Sequence, residues 1–251
     1  MDFSDAFRNE VRAEHSDAFQ LAHDVSRAVG DAVIRPVIID GEIGRALDML
    51  MQQGWRAHLS VQALAERRLT EDAATISRRL LELAIHAGYI ASIDEYAIRL
   101  DRARRFLARF WQSAPQSLKD TMPPEDRGAW ESWVEDWKLQ LPEKPKSWWP
   151  SFREMLTSLG HEETYENDYR FLSGVAHGSG LFLARDYARS HADTHYQMDV
   201  CPLLIHSSKY YLALAINWNS VFDMLSAEIL SELIRRIEVL RTTRGITHRC
   251  K

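Results

Sequence analysis

Apolar residues in this chain recur at three, four and seven positions, and two-residue alternation is hard to find. That period matches a helical turn, so nearly every surface the chain can bury must be one stripe of a helix. Phe3, Phe7, Val11, Ala18, Ala22, Val25 and Val29 form the first stripe, and Gly30 followed by Pro36 predicts its end. A second helix is predicted from about Glu42 to Leu69, with Ile43, Leu47, Leu50, Gly54, Trp55, His58, Val61 and Ala65 along one side. Thr70, Glu71 and Asp72 read as a new N-terminus, because a hydroxyl caps free amides and early acids suit the helix dipole. That third helix runs to about Ala91. Ser92 and Glu95 then have capping-box spacing, which predicts a fourth over 93–112.

Pro115, Pro123 and Pro124 interrupt the pattern before AWESWVEDWKLQL, where Trp130, Trp133 and Trp137 share a helical face. LPEKPKSWWP at 141–150 reads as a proline-rich connector inside one helical domain spanning 1–251, since neither half looks self-sufficient. Short helices are expected near 151–159 and 162–177, separated at Gly160, and an irregular loop over 178–202 ends at Pro202. From Leu203 to Arg244 there is neither glycine nor proline. A single helix of that length would extend on the order of 60 Å, enough for its end to reach another subunit. The pattern predicts an all-α, mainly antiparallel multi-helix bundle with a long C-terminal helix, assembled as a homodimer.

Composition narrows the function classes. Of 251 residues, 27% are charged and 45% apolar, with a formal charge of −5. Such a balance suits a globular protein and argues against a chain coated with nucleic acid, while leaving room for a local basic groove. Cys201 and Cys250 make neither a disulfide framework nor a zinc site. The acidic start MDFSDAFRNE lacks the pattern of a signal peptide, and YYLALAINW at 210–218 is about half a membrane span. The expectation is a cytoplasmic protein with no membrane partner.

The segment NDYRFLSGVAHGSG at 167–180 holds the densest chemistry. Arg170 and His177 are seven residues apart and share a helical face to within about 20°. Their backbones are nevertheless roughly 10 Å apart along the axis, and an arginine leans back toward the N-terminus. One helix cannot pair them directly, so joint chemistry needs another element or a second subunit. Arg78 and Glu82, spaced i,i+4 on SRRLLELAIHAGYI, point either outward or into the same cluster. A purely structural reading stands beside the catalytic one. Tyr169 and Ser173 would be buried hydroxyls satisfying Arg78 or Glu82, and His177 with Gly178 would end the helix.

The run YRFLSGVAHGS, preceded by Trp148–Trp149 and Tyr165, resembles the signature of an uncharacterised bacterial all-helical family. RRLLELAIHAGYI resembles that family's second motif, Arg-x-Leu-x-Glu ending in Tyr-Ile. By position Arg78, Glu82, Tyr169, Arg170, Ser173, His177 and Gly178 match, over roughly residues 45–225. The same segment is more distantly similar to the HEPN superfamily, helical bundles marked by an Arg and a His a few residues apart. Six residues separate Arg170 from His177, although Phe171 stands where that motif commonly has a polar residue. The resemblance implies a metal-independent ribonuclease of bacterial defence or toxin type, RNA as partner, and no cofactor. His177 would be the acid/base and Arg170 the phosphate stabiliser, completed across a dimer axis. The competing class is a non-catalytic helical interaction or regulatory domain in which the same residues hold the bundle together.

Three other features carry weaker expectations. HADTH at 191–195 has zinc-like histidine spacing but lacks the glutamate of a metalloprotease helix. Arg99, Arg102, Arg105 and Arg109, with Arg104 nearby, and the tail Arg235, Arg236, Arg241, Arg244, Arg249 and Lys251 form basic stripes of the kind that most often face solvent. The tryptophan stripe reads as core or subunit contact before it reads as a base-stacking platform.

Overall fold

A four-residue reversal sets the frame of the molecule. Helix α3 (Gly41–Ala65) ends in a turn where Arg68 adopts φ 53° and the Leu69 amide donates to the Leu64 carbonyl at 3.0 Å. The chain returns as α4 (Thr70–Ala91), antiparallel to α3, as so short a connection requires. The computed structural model describes residues 4–35, 39, 41–138, 149–176 and 199–246, apart from the side chains of Leu118 and Lys138. Among them every regular element is helical and none is a strand. Before the frame come α1 (Asp5–Glu14) and α2 (Ser16–Val33). After it come α5 (Tyr96–Ser113), α6 (Gln116–Asp120), α7 (Pro124–Lys138) and α8 (Phe152–Ser158). A continuous helical stretch follows, made of α9 (Glu162–Thr164), a π-helical turn (Tyr165–Tyr169) and α10 (Arg170–Ala176). Helices α11 (Val200–Phe222) and α12 (Ala227–Thr243) complete the described chain.

Helix α11 packs on α2, α3 and α4 at once, and these four supply most of the core. Leu47, Leu50, Leu80, Leu83 and Leu204 are essentially inaccessible to solvent, each contributing about 1.5–3 kcal/mol of transfer free energy. Gly54 sets the closest approach, since a Cβ there would lie 2.2 Å from the buried Leu214 side chain. A fully buried histidine ties three of the four helices together. His58 bonds through Nε2 to the Ala22 carbonyl at 3.2 Å and through Nδ1 to the Ser207 hydroxyl at 2.6 Å. Its ring stacks on Tyr211 at 4.8 Å. The carbonyl can only accept, so the proton sits on Nε2 and the serine donates to Nδ1. Burial pushes the His58 pKa down to about 4, which keeps the ring neutral.

Around this core, α5 lies against α3 and α4, and α7 packs on α5 through Trp111 and Trp130, stacked at 5.5 Å. Trp133 and Trp137 continue that line, with the Arg45 guanidinium 4.2 Å from the Trp133 ring centre. The other side of α4 carries α8 and α10.

Several boundaries differ from those the periodicity suggests. The first helix is two, because His15 leaves helical geometry at φ −118° and lets α1 splay outward with only Val11 buried. The α3 helix ends at Ala65, short of Leu69. Thr70 is already helical and buried, so Leu69 precedes the helix and no side chain caps it. Glu95 is the N-cap of α5 and no capping box forms there; the one that does form joins Ser151 and Glu154 ahead of α8. Pro202 lies inside the first turn of α11 and does not end a loop, since its missing N–H is one that a helix start leaves free anyway.

The largest correction concerns 203–244, which is no single rod. Asp223 enters left-handed geometry at φ 49°. Asn219 satisfies the broken ends: its Oδ1 accepts from the Met224 and Leu225 amides, each at 2.7 Å, and its Nδ2 donates to the Leu225 carbonyl at 2.9 Å. Ser226 then caps α12, which folds back onto α11 and α2. Most of the connector, residues 141–148, the last residue of the expected helix, His177, and most of the expected loop, 178–198, lie outside the described residues.

Candidate functional site

Helix α4 is amphipathic, with Ala73, Ser77, Leu80, Ala84 and Ala87 turned into the core. One step around from Ser77 and Leu81, Arg78 and Glu82 come to the flank that meets α10, and both are mostly buried. Their side chains pair at 3.1 Å, and Arg79 reaches the other oxygen of Glu82 at 3.6 Å. From the π-helical turn, Tyr169 places its hydroxyl 3.2 Å from the Arg78 guanidinium, which donates to it. The Arg78 head lies 5.3 Å from the Tyr169 ring centre, and that ring also packs on Tyr165 and Phe152. Arg78, Glu82 and Tyr169 therefore form one connected unit bracing α10 against α4.

Arg170 behaves differently although it is the next residue. Its side chain is 66% exposed and pairs with Glu166, one turn back and itself half exposed. Bonding to Glu166 raises the guanidinium pKa further, so the group is a permanent cation. Solvent screens an exposed pair of this kind, and a phosphate could replace the carboxylate. Ser173 is half-buried on the following turn. His177 and Gly178 lie outside the described residues, as does HADTH at 191–195.

Asp168 is a functional-type residue that periodicity alone did not single out. It is only 5% exposed and sits 3.6 Å from Lys209 of α11, beside the buried Tyr210 hydroxyl. Burial first, then the nearby Asp168 carboxylate, holds the Tyr210 pKa well above its usual value. The signal was an acid four residues before Leu172, on the stripe that faces the core. This pairing tethers the π-helical turn to α11, while Tyr169 tethers it to α4. The turn is fixed on both sides, and its third direction presents Arg170 to solvent.

The basic stripes resolve mostly into local pairs. Arg104 meets Glu42 at 3.0 Å, Arg105 meets Asp101 at 2.8 Å, and Arg102 lies 3.8 Å over the Tyr89 ring. Near the C-terminus, Arg235, Arg236, Arg241 and Arg244 pair with Glu232, Asp24, Glu238 and Asp17. Arg249 and Lys251 lie outside the described residues. Among the described residues no group of three or more His, Cys, Asp or Glu side chains could hold a metal ion, and no helix is long and apolar enough to cross a membrane.

The model of the Family of unknown function (DUF5677) matches residues 50–195, more than half of the chain. The protein belongs to this family. The matched span holds Arg78, Glu82, Tyr169, Arg170, Ser173 and His177, whereas Lys209 and Tyr210 of α11 lie beyond it. No curated protein and no solved structure is significantly similar to the chain.

Proposed function

We propose that this protein is an RNA-directed helical protein of HEPN-like, metal-independent ribonuclease type, acting as a homodimer in the bacterial cytoplasm in defence or as a toxin. The supporting observation is the division of labour between Tyr169 and Arg170. The tyrosine is turned inward to Arg78, while the arginine is 66% exposed and paired with a surface carboxylate. An arginine retained for packing would be buried and paired, as Arg78 is. In this reading Arg170 pairs with the scissile phosphate and His177, seven residues on, handles the protons. The imidazole accepts the 2′-hydroxyl proton as that oxygen attacks phosphorus. The P–O5′ bond then breaks and the leaving oxygen takes up a proton, giving a 2′,3′-cyclic phosphate and a free 5′-hydroxyl. A second copy of the chain supplies the group that one helix cannot bring close enough.

The Arg78–Glu82–Tyr169 unit favours a second reading, a non-catalytic interaction or regulatory bundle. Incubating the purified chain with single-stranded RNA in EDTA separates the two. Arg170→Ala and His177→Ala should each lower cleavage by about a hundredfold or more at unchanged melting temperature. Tyr169→Phe should retain most activity while losing about 1 kcal/mol of stability, and a 2′-deoxy substrate should resist. A wild-type chain that leaves RNA intact, or a His177→Ala variant that unfolds, would hand the conclusion to the interaction reading.

A further inference from the structure

Helices α4, α5 and α8 enclose a cavity beside the Arg78–Glu82 brace. It has two adjoining lobes of about 630 and 320 Å³, which share His86, Arg109, Ser113, Trp149 and Phe152 as walls. Its centre is His86. The ring packs against Phe106, Trp149 and Phe152 with centroids 5.6, 5.5 and 5.1 Å away. The Trp149 indole N–H donates to His86 Nδ1 at 3.1 Å. Indole can only donate, so a neutral ring held this way carries its own proton on Nε2. Among the described residues nothing accepts that proton. Burial, reinforced by the charges of Arg109 and Arg79, pushes the His86 pKa down to about 3. The ring stays a neutral donor at ordinary pH.

The rim carries both signs, Arg79 and Arg109 against Glu82 and Glu154. Arg109 is exposed, and among the described residues no carboxylate pairs with it, unlike Arg104 and Arg105 of the same helix. Arg79 is held by Gln53 at 3.0 Å and by Glu82. Glu82 is neutralised by two arginines, while Glu154 is oriented away by the neutral Ser151 cap and keeps its charge. The cavity therefore combines a flat aromatic wall, a free N–H donor and one guanidinium with no carboxylate partner among the described residues. The Gln112 amide adds a donor and an acceptor, and Gln53, its oxygen already taken by Arg79, adds a donor. Aromatic walls favour planar rings, guanidinium favours phosphate, and this volume matches a small-molecule site.

We propose that this cavity binds a nucleoside monophosphate, with the base against Trp149 and Phe152, a ring acceptor on His86 Nε2–H, and the phosphate on Arg109. The site lies on the α4–α5–α8 face and stands independently of the role given to Arg170 and His177. Phe152 lines the cavity and also packs on Tyr169 at 5.2 Å, so an occupant would rest against the brace that holds α10.

Calorimetric titration of the full chain with AMP, adenosine and inorganic phosphate tests the assignment. AMP should bind saturably at one site. Adenosine and phosphate should each bind at least about tenfold more weakly, a difference of about 1.4 kcal/mol. Arg109→Gln should reduce AMP affinity to that of adenosine, Arg109→Lys should recover part of it, and the remote Arg235→Gln should change nothing. Melting curves accompany each variant, and the lysine variant keeps the test decisive if the glutamine variant is misfolded. The proposal is overturned if AMP gives no saturable heat at millimolar concentration, or binds no better than adenosine. It is likewise overturned if affinity is indifferent to Arg109.

Discussion

Two histidines on neighbouring helices show how one side chain can serve opposite ends. His58 on α3 and His86 on α4 are both kept neutral by burial, and each has one ring nitrogen fixed by a side-chain partner. They differ at the other nitrogen. That of His58 is bonded to a backbone carbonyl inside the core, whereas that of His86 has no acceptor among the described residues and stands at a cavity. A closed node of this kind can do nothing but hold helices together. An open one retains an unused donor, the residue of binding capacity that packing has left over. The distinction lies in the partners, since both rings are enclosed by apolar neighbours.

The contrast can be broken most forcefully at the closed node. His58→Ala should cost about 3–5 kcal/mol, since it opens a cavity and strips the Ser207 hydroxyl and Ala22 carbonyl of their partner. Urea unfolding measures this, and a loss under 1 kcal/mol would remove the structural role assigned to the ring.

Acid probes the same node next. An unfolded histidine takes up its proton near pH 6.5, while folded His58 resists until about 4. Its contribution is complete above pH 6.5 and is lost as pH falls toward 4, by about 3 kcal/mol at that point. The depressed pKa of His86 extends the decline toward about 3. Urea midpoints between pH 7 and pH 4 should fall steadily in wild type and less steeply in His58→Gln. A flat profile would mean that neither ring is shielded from protons.

Smaller effects belong to the open node. Trp149→Phe removes the indole donor and part of a buried ring, and it should cost about 1–2 kcal/mol, less than His58→Ala. Arg109→Ala should shift stability by less than about 0.5 kcal/mol, as expected of an exposed cation with no ion pair. Should either match His58→Ala in a thermal melt, the cavity wall would be as structural as the core and the contrast would collapse.

The sequence made the helices plain because each buries one stripe, and stripes are visible in a single chain. Residues Ile43, Leu47, Leu50, Val61 and Ala65 fall on the face their spacing predicts, and all are buried. The breaks at His15 and Asp223 were illegible for the opposite reason. Neither involves glycine or proline, and the second is made by one asparagine whose local bonds replace those of the helix. In the candidate site, the pattern grouped Arg78, Glu82, Tyr169, Arg170 and Ser173 but could not sort inward from outward. Tyr169 and Arg170 are adjacent, and a single residue turns a side chain by about 100°. His86 stood in view within SRRLLELAIHAGYI, but its partner Trp149 is 63 residues away and only tertiary packing joins them.

The Asn219 elbow bears on how copies of this chain could associate. With the break in place, Leu233 and Ile237 of α12 are buried and the helix lies over α2 of its own molecule, with Arg236 clamped to Asp24 at 2.8 Å. A straight rod would carry that apolar patch away from its own bundle, where the nearest equivalent cradle belongs to a neighbouring molecule. One asparagine thus decides whether the apolar face of α12 is covered by its own molecule or left open to solvent.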